Sequence, residues 1–177
     1  TWDNVNFADR TVTINKQLQW DLEKKFWYLT PPKYNSSRTI DIDETIVELL
    51  KELQEKQIRA KEYYADEYSL IYYDDELGIN ESTGNVIDFI NVYENGGFIQ
   101  PRTMQHTSQV IHKFYPAFTF HSLRHTHCTR LLEAGLPIKY VQERLGHKNI
   151  SVTMDIYNHL TQNQAELSKR ALEDVFK

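Results

Sequence analysis

Between positions 121 and 157 the chain reads HSLRHTHCTRLLEAGLPIKYVQERLGHKNISVTMDIY. Its punctuation constrains the fold more than any other feature. Gly135 ends a run of helical spacing, and Pro137 follows two residues later. A glycine just past one helix and a proline opening the next mark two helices in close succession. Gly146 stops the second helix, and Ser151 caps a third that carries Tyr157. Ile138, Val141 and Leu145 give the middle helix a buried stripe. On the first helix, spacing places His121, Arg124, His125 and Cys128 on one side. Leu123, His127, Leu131 and Ala134 lie on another side, which reads as the core face.

The N-terminal part reads differently. Thr11–Ile14 alternates like a strand, Lys25–Thr30 is a second, aromatic-rich strand, and Arg38–Ile42 is a third. These three predict a small antiparallel sheet, with Lys33 in the polar connector of its second hairpin. Asp43 caps a helix over about 44–67, with Ile46, Leu49, Leu50, Leu53 and Ile58 at helical spacing. Residues 68–102 read as loops with short elements. A helix starting at Thr103 or Ser108 runs to about Tyr115. An amphipathic helix over 162–176 shows Leu167, Ala171, Leu172 and Val175. The fold class expected is α+β, mainly α-helical: a small three-stranded antiparallel sheet plus a helical catalytic core.

Composition narrows the function. No apolar run approaches the roughly 18 residues of a membrane span, and no signal peptide is visible. The lone Cys128 excludes an internal disulfide and suits a reducing cytoplasm. The net charge of −5 argues against a nucleic-acid partner until its distribution is read. Residues 41–95 hold 15 of the 25 acidic residues and 4 of the 20 basic ones, so the rest of the chain is net positive. All seven histidines fall between 106 and 159. A basic face for phosphates is open on this distribution, although charge alone favours ordinary surface bias.

The residues of the helical stretch favour phosphate chemistry. Arg124 offers a fork suited to bidentate phosphate contact, beside imidazoles that donate or take protons. A tyrosine phenol, with an unperturbed pKa of about 10, is a poor nucleophile unless cations or a base surround it. Clustered Arg and His would supply that setting and would stabilise the transition state. Lys33 could protonate a leaving oxygen. Taken singly, each residue has a bland role: His121 a cap, Arg124 a surface ion pair, Tyr157 a rim aromatic, Lys33 a solvated loop residue, His147 a polar follower of a helix stop.

Taken together they resemble the catalytic domain of the tyrosine recombinases, the integrases of phages and conjugative transposons. The matching residues are His121-Ser-Leu-Arg124-His125-Thr126, Leu145-Gly146-His147 and, ten residues on, Tyr157. Lys33, in Pro32-Lys33 before Ser37-Arg38-Thr39-Ile40, resembles the family's hairpin lysine. The resemblance covers nearly the whole chain and is weakest over 68–100.

The resemblance implies one catalytic domain over 1–177. It also implies site-specific recombination of duplex DNA for integration or excision of a mobile element. Tyr157 would be the nucleophile, forming a 3′-phosphotyrosyl link. Arg124, His121 and His147 would hold the phosphate, and Lys33 would be the acid. No cofactor or metal is implied. The partners are duplex DNA and a tetramer of the same chain, in the cytoplasm of a bacterial or phage-infected cell, with 162–176 a candidate for exchange between protomers. The family's other catalytic arginine precedes the point where this sequence begins, at Thr1. The chain therefore reads as a fragment, incomplete at its N-terminus and not fully active alone.

Three rivals stand beside this reading. A type IB topoisomerase shares the chemistry, but the spacing from Leu145-Gly146-His147 to Tyr157 and the small size favour the recombinase. A non-catalytic DNA-binding remnant or regulator of the same fold is a second. A metal enzyme is the third, since His121 and His125 have the i, i+4 spacing of helical ligands. Ser122 stands where the zinc-protease motif needs Glu, and no cysteine pair exists.

Overall fold

The computed structural model describes the backbone of residues 1–175, with all side chains to residue 162 and those of Ala165, Lys169 and Leu172 beyond it. The chain divides into two units, 1–104 and 105–177.

In the first unit, β1 (Val5–Asn6), β2 (Thr11–Ile14) and β5 (Arg38–Asp41) form a three-stranded antiparallel sheet in the order β1-β2-β5. The expected three-stranded sheet is present, but one of its members differs. The aromatic segment forms β4 (Trp27–Thr30) and pairs with β3 (Gln17–Trp20), not with β2 or β5. β3 reads poorly in sequence because Gln-Leu-Gln-Trp buries none of its side chains fully.

The registers explain where Lys33 sits. Ile14 pairs with Arg38, and Gln17 pairs with Thr30. Two residues separate β2 from β3, whereas residues 31–37 separate β4 from β5. The excess chain loops out, and Lys33 is exposed on that loop rather than in a hairpin turn. The loop is held by Ser36 Oγ donating to the Lys33 carbonyl at 2.9 Å and Arg38 Nη1 donating to the Ser36 carbonyl at 3.0 Å. Tyr34 takes the left-handed conformation (φ 62°, ψ 27°), which costs a non-glycine residue about 1 kcal/mol or more.

Asp43 caps α1 (Glu44–Tyr64) as expected, its Oδ1 accepting from the Ile46 amide at 3.0 Å. The stripe that α1 turns inward keeps Leu50 and Leu53 of the expected positions and leaves Ile46, Leu49 and Ile58 outside, while Val47 is 2% exposed. The inward line runs 47, 50, 53, 54, 57, 60 and includes the polar Gln57, which an apolar-only pattern passes over. Gln57 earns its half-buried place by bonding. Trp2 Nε1 donates to its Oε1 at 2.7 Å, and its Nε2 donates to the Ile90 carbonyl at 2.6 Å.

Residues 68–102 hold a second three-stranded antiparallel sheet, β7-β6-β8, made of β6 (Tyr72–Asp74), β7 (Gly78–Asn80) and β8 (Asn85–Val86). Their shortness is why they read as loops. At Gly78 (φ +65°) a Cβ would stand 2.4 Å from the Trp27 carbonyl oxygen, so only glycine lets β7 approach β4 this closely.

The second unit is built from helices α2 (Pro101–Phe114), which begins just before the boundary, α3 (Phe120–Glu133), α4 (Ile138–Leu145) and α5 (Ser151–Val175). Cys128 and Leu132 of α3 meet Val141 and Leu145 of α4 in a buried cluster, with Leu131, Leu136, Ile156 and Leu160 packed on it. Burying each such side chain is worth about 1.5–3 kcal/mol. The expected core face of α3 is corrected here: Leu123 is 52% exposed, and the buried line is the one through Cys128. Free cysteine packs as a small hydrophobe, and a reading that counts it as polar rotates the face.

Both predicted glycine stops are present. Gly135 (φ +80°) and Gly146 (φ +68°) are left-handed. In each case the paired bonds of a Schellman motif follow: Leu136 N to Leu131 O, Gly135 N to Leu132 O, His147 N to Gln142 O and Gly146 N to Glu143 O. The predicted short helix with Tyr157 and the predicted terminal helix are one continuous element, α5. Of the terminal helix's apolar positions, Leu172 is exposed, and the side chains of Leu167, Ala171 and Val175 lie outside the described set. Among the described residues no helix is long and apolar enough to cross a membrane.

Candidate active site

The second unit brings Arg124 and His147 together. Arg124, on the second turn of α3, is half-buried, and its Nη2 donates to the Leu145 carbonyl at 2.6 Å. That carbonyl lies at the C-terminus of α4, where unpaired oxygens and the negative end of the helix dipole favour a cation. Its Nε donates to His147 Nε2 at 3.2 Å. These two bonds use two of five guanidinium N–H groups. Among the described residues the Nη1 hydrogens and the second Nη2 hydrogen meet no acceptor, and an oxyanion could take them.

His147 is placed by the glycine stop. Gly146 turns the chain, and the Schellman bond from His147 N to Gln142 O fixes its backbone. Gln142 Nε2 also donates to the His147 carbonyl at 3.0 Å. With Nε2 accepting from arginine, the ring proton belongs on Nδ1, which lies 2.9 Å from Thr153 Oγ1. Thr153 is fully buried on the first turn of α5. The sequence reading passed over it. A threonine two residues past a helix cap reads as surface, and only its spacing before Tyr157 could have drawn attention to it.

His121 is exposed on the first turn of α3, three residues before Arg124. That interval puts the two on one side of the helix, with Cβ atoms about 5–6 Å apart. The turn is held by a capping box: Thr119 Oγ1 accepts from the Ser122 amide at 3.0 Å, and Ser122 Oγ accepts from the Thr119 amide at 3.1 Å. Cys128, a turn beyond Arg124, is inert packing. Burial pushes its thiol up, against the pull of the Arg124 guanidinium. Outside this group, His127 accepts from Arg144 Nε at 3.2 Å. Burial lowers its pKa, and the Arg144 charge adds to the effect. Among the described residues, no group of three or more His, Cys, Asp or Glu is gathered closely enough to hold a metal ion.

Tyr157 lies one turn beyond Thr153 on α5, and its phenol makes no hydrogen bond to His121, Arg124 or His147 among the described residues. The ring lines a cleft of about 510 Å³ with Leu132, Leu136, Pro137, Ile138 and Leu160. Leu132 is eight residues beyond Arg124, about 12 Å along α3. The tyrosine therefore rests beside the far end of that helix. Lys33 belongs to the first unit, on the loop described above.

The second unit thus holds a guanidinium fixed at a helix end, an imidazole against it and a tyrosine on the helix that follows. The comparisons give the family. The chain belongs to the phage integrase family, whose model matches residues 1–164. A tyrosine recombinase XerC-like protein of Caldanaerobacter subterraneus subsp. tengcongensis is 30% identical, over 99% of this chain and 44% of its own length. The transposase from transposon Tn916 of Enterococcus faecalis is 27% identical over 97% of the chain and 40% of its own. The ICEBs1 integrase of Bacillus subtilis is 26% identical, over 98% and 43%. The chain thus spans less than half the length of these relatives. The Tn1549 transposon integrase, solved in complex with a circular intermediate DNA, shares the fold. It matches with a TM-score of 0.68 at 22% identity, over 96% of this chain and 51% of that one.

Proposed function

We propose that this chain is the catalytic domain of a site-specific recombinase of a phage or mobile element, cutting and rejoining duplex DNA through a 3′-phosphotyrosyl intermediate. The observation that carries the reading is the Arg124–His147 pair. The guanidinium is fixed at a helix end with N–H groups to spare, as a phosphate clamp requires. Family membership supports it, as do the relatives described as a recombinase, a transposase and an integrase.

In this mechanism Tyr157 Oη passes its proton to His121 and attacks the scissile phosphorus, forming a P–O bond as the bond to O5′ breaks. Lys33 protonates the departing 5′ oxygen. Arg124 spreads its charge over the phosphoryl oxygens, and His121 and His147 donate to them. A 5′-hydroxyl from the partner duplex then gives its proton to Lys33 and attacks the phosphotyrosine, and the tyrosine regains its proton from His121 as its P–O bond breaks. Each step exchanges one phosphodiester bond for another, so the scheme balances without ATP or metal. Tyr157 must leave its cleft to attack. Both units are read as parts of one catalytic domain, because the family's model runs through both. The working assembly is a tetramer on two DNA sites in the cytoplasm, with the 162–176 segment the candidate for exchange between protomers.

The resting place of Tyr157 favours one alternative, a DNA-binding remnant that no longer cleaves. One experiment separates the two. The natural protein is incubated with nicked duplexes drawn from the DNA flanking its gene, and covalent adducts and affinity are measured. The wild type is expected to form adducts. Tyr157→Phe is expected to form none, with affinity within about twofold, since one phenol adds little to phosphate binding. Adducts persisting in Tyr157→Phe remove the nucleophile assignment. Binding without adducts in the wild type establishes the remnant.

A further inference from the structure

We propose that Thr153 is a positioning residue that holds His147 through its Nδ1 atom and so aims Nε2 at the Arg124 guanidinium and at the phosphate it would clamp. The inference rests on the recombinase reading for its catalytic consequence, but not for its geometry. His147 has two ring nitrogens, and both are engaged: Nε2 by Arg124 at 3.2 Å and Nδ1 by Thr153 Oγ1 at 2.9 Å. The threonine hydroxyl is fully buried, so no water competes for it. Its amide donates to the Ile150 carbonyl at 3.0 Å, which fixes its backbone within the first turn of α5. Tyr157 follows on the same helix, one turn later. One hydrogen bond therefore ties the ring of His147 to the start of the helix that bears the nucleophile.

The choice of a hydroxyl is chemically specific. With no phosphate present, Nε2 accepts from arginine and Nδ1 must donate, so the hydroxyl accepts. To donate to a phosphate oxygen, Nε2 must carry the proton instead, and Nδ1 becomes an acceptor. A hydroxyl has one donor and two acceptor sites, so it can pair with Nδ1 in either form. The ring then changes role without leaving a buried nitrogen unpaired, which would otherwise be costly. Valine has the shape of threonine and neither capacity. Serine keeps both.

The test uses the 177-residue chain labelled with 15N, and the His147 ring nitrogens are assigned against His147→Gln. Wild type and Thr153→Ser are expected to show one dominant neutral form with the proton on Nδ1. Thr153→Val, folded, releases the ring from its position against Arg124 Nε, the contact that selects the tautomer, and is expected to show a mixture of the two forms. A wild-type ring protonated on Nε2, or a Thr153→Val spectrum matching the wild type, overturns the proposal. If Thr153→Val does not fold, Thr153→Ser decides: retention of the wild-type pattern supports the proposal and its loss overturns it. In the natural protein, adduct formation at saturating DNA is expected to fall about tenfold in Thr153→Val, the scale of one lost hydrogen bond, and to recover in Thr153→Ser. If the ring signals behave as stated while no protein, wild type included, forms adducts, the positioning role stands and the recombinase reading fails.

Discussion

Arg124 shows how one residue serves fold and site together. Its Nη2 closes the end of α4 and its Nε meets His147. The sequence named Arg124, His121, His147 and Tyr157 because their order and spacing have no structural explanation. It did not name Thr153, whose role lies in a contact between segments that spacing cannot show. His127 carries a prediction of its own. Burial, with Arg144 beside it, holds its pKa below the ordinary 6.5. The folded protein therefore keeps the ring neutral at pH values where the unfolded chain takes up a proton. Stability from this group is fully present above pH 6.5 and is lost as pH falls through the lower folded value. Urea midpoints are expected to decline below that pH, and His127→Gln, which keeps an oxygen for Arg144, is expected to show a shallower decline. An identical decline in both proteins would assign it to other groups.

At the scale of elements, punctuation was more legible than faces. Gly135, Gly146 and Asp43 announce helix ends through local backbone chemistry, and each stands where expected. The buried face of α3 was misplaced, and the inward line of α1 only partly read, because Cys128 and Gln57 do not count as apolar in a periodic pattern. β3 and β6–β8 went unread because two to four residues carry too little periodicity. The two glycine stops now separate stability from function. An added Cβ at Gly135 meets nothing within 4 Å, so Gly135→Ala bears only the left-handed backbone cost of about 1 kcal/mol. Gly146→Ala bears a similar cost, and it also disturbs the turn that presents His147. Urea denaturation is expected to show comparable losses in the two variants. Adduct formation is expected to fall in Gly146→Ala alone. Equal loss of adducts in both would mean that the turn at Gly146 does not set the site.

At the scale of the molecule, charge is the property that composition hid and distribution revealed. The chain is acidic overall, at −5, yet residues 105–177 hold every histidine, Arg124 and a positive balance of lysine and arginine over acid. If the chain binds duplex DNA as proposed, it does so through phosphate neutralisation, which releases counterions and makes affinity fall with salt. The slope of log affinity against log salt counts the phosphates engaged. Arg124→Gln removes one guanidinium from a phosphate while keeping a side chain able to donate to the Leu145 carbonyl. Its slope on nonspecific duplex is expected to be smaller by about one, with weaker affinity on every sequence tested alike. Tyr157→Phe is expected to leave the slope unchanged, because the phenol carries no charge at neutral pH. If Arg124→Gln leaves the slope intact, the guanidinium stays tied to Leu145 and His147 when DNA binds, and the phosphate is held by other cations of the molecule.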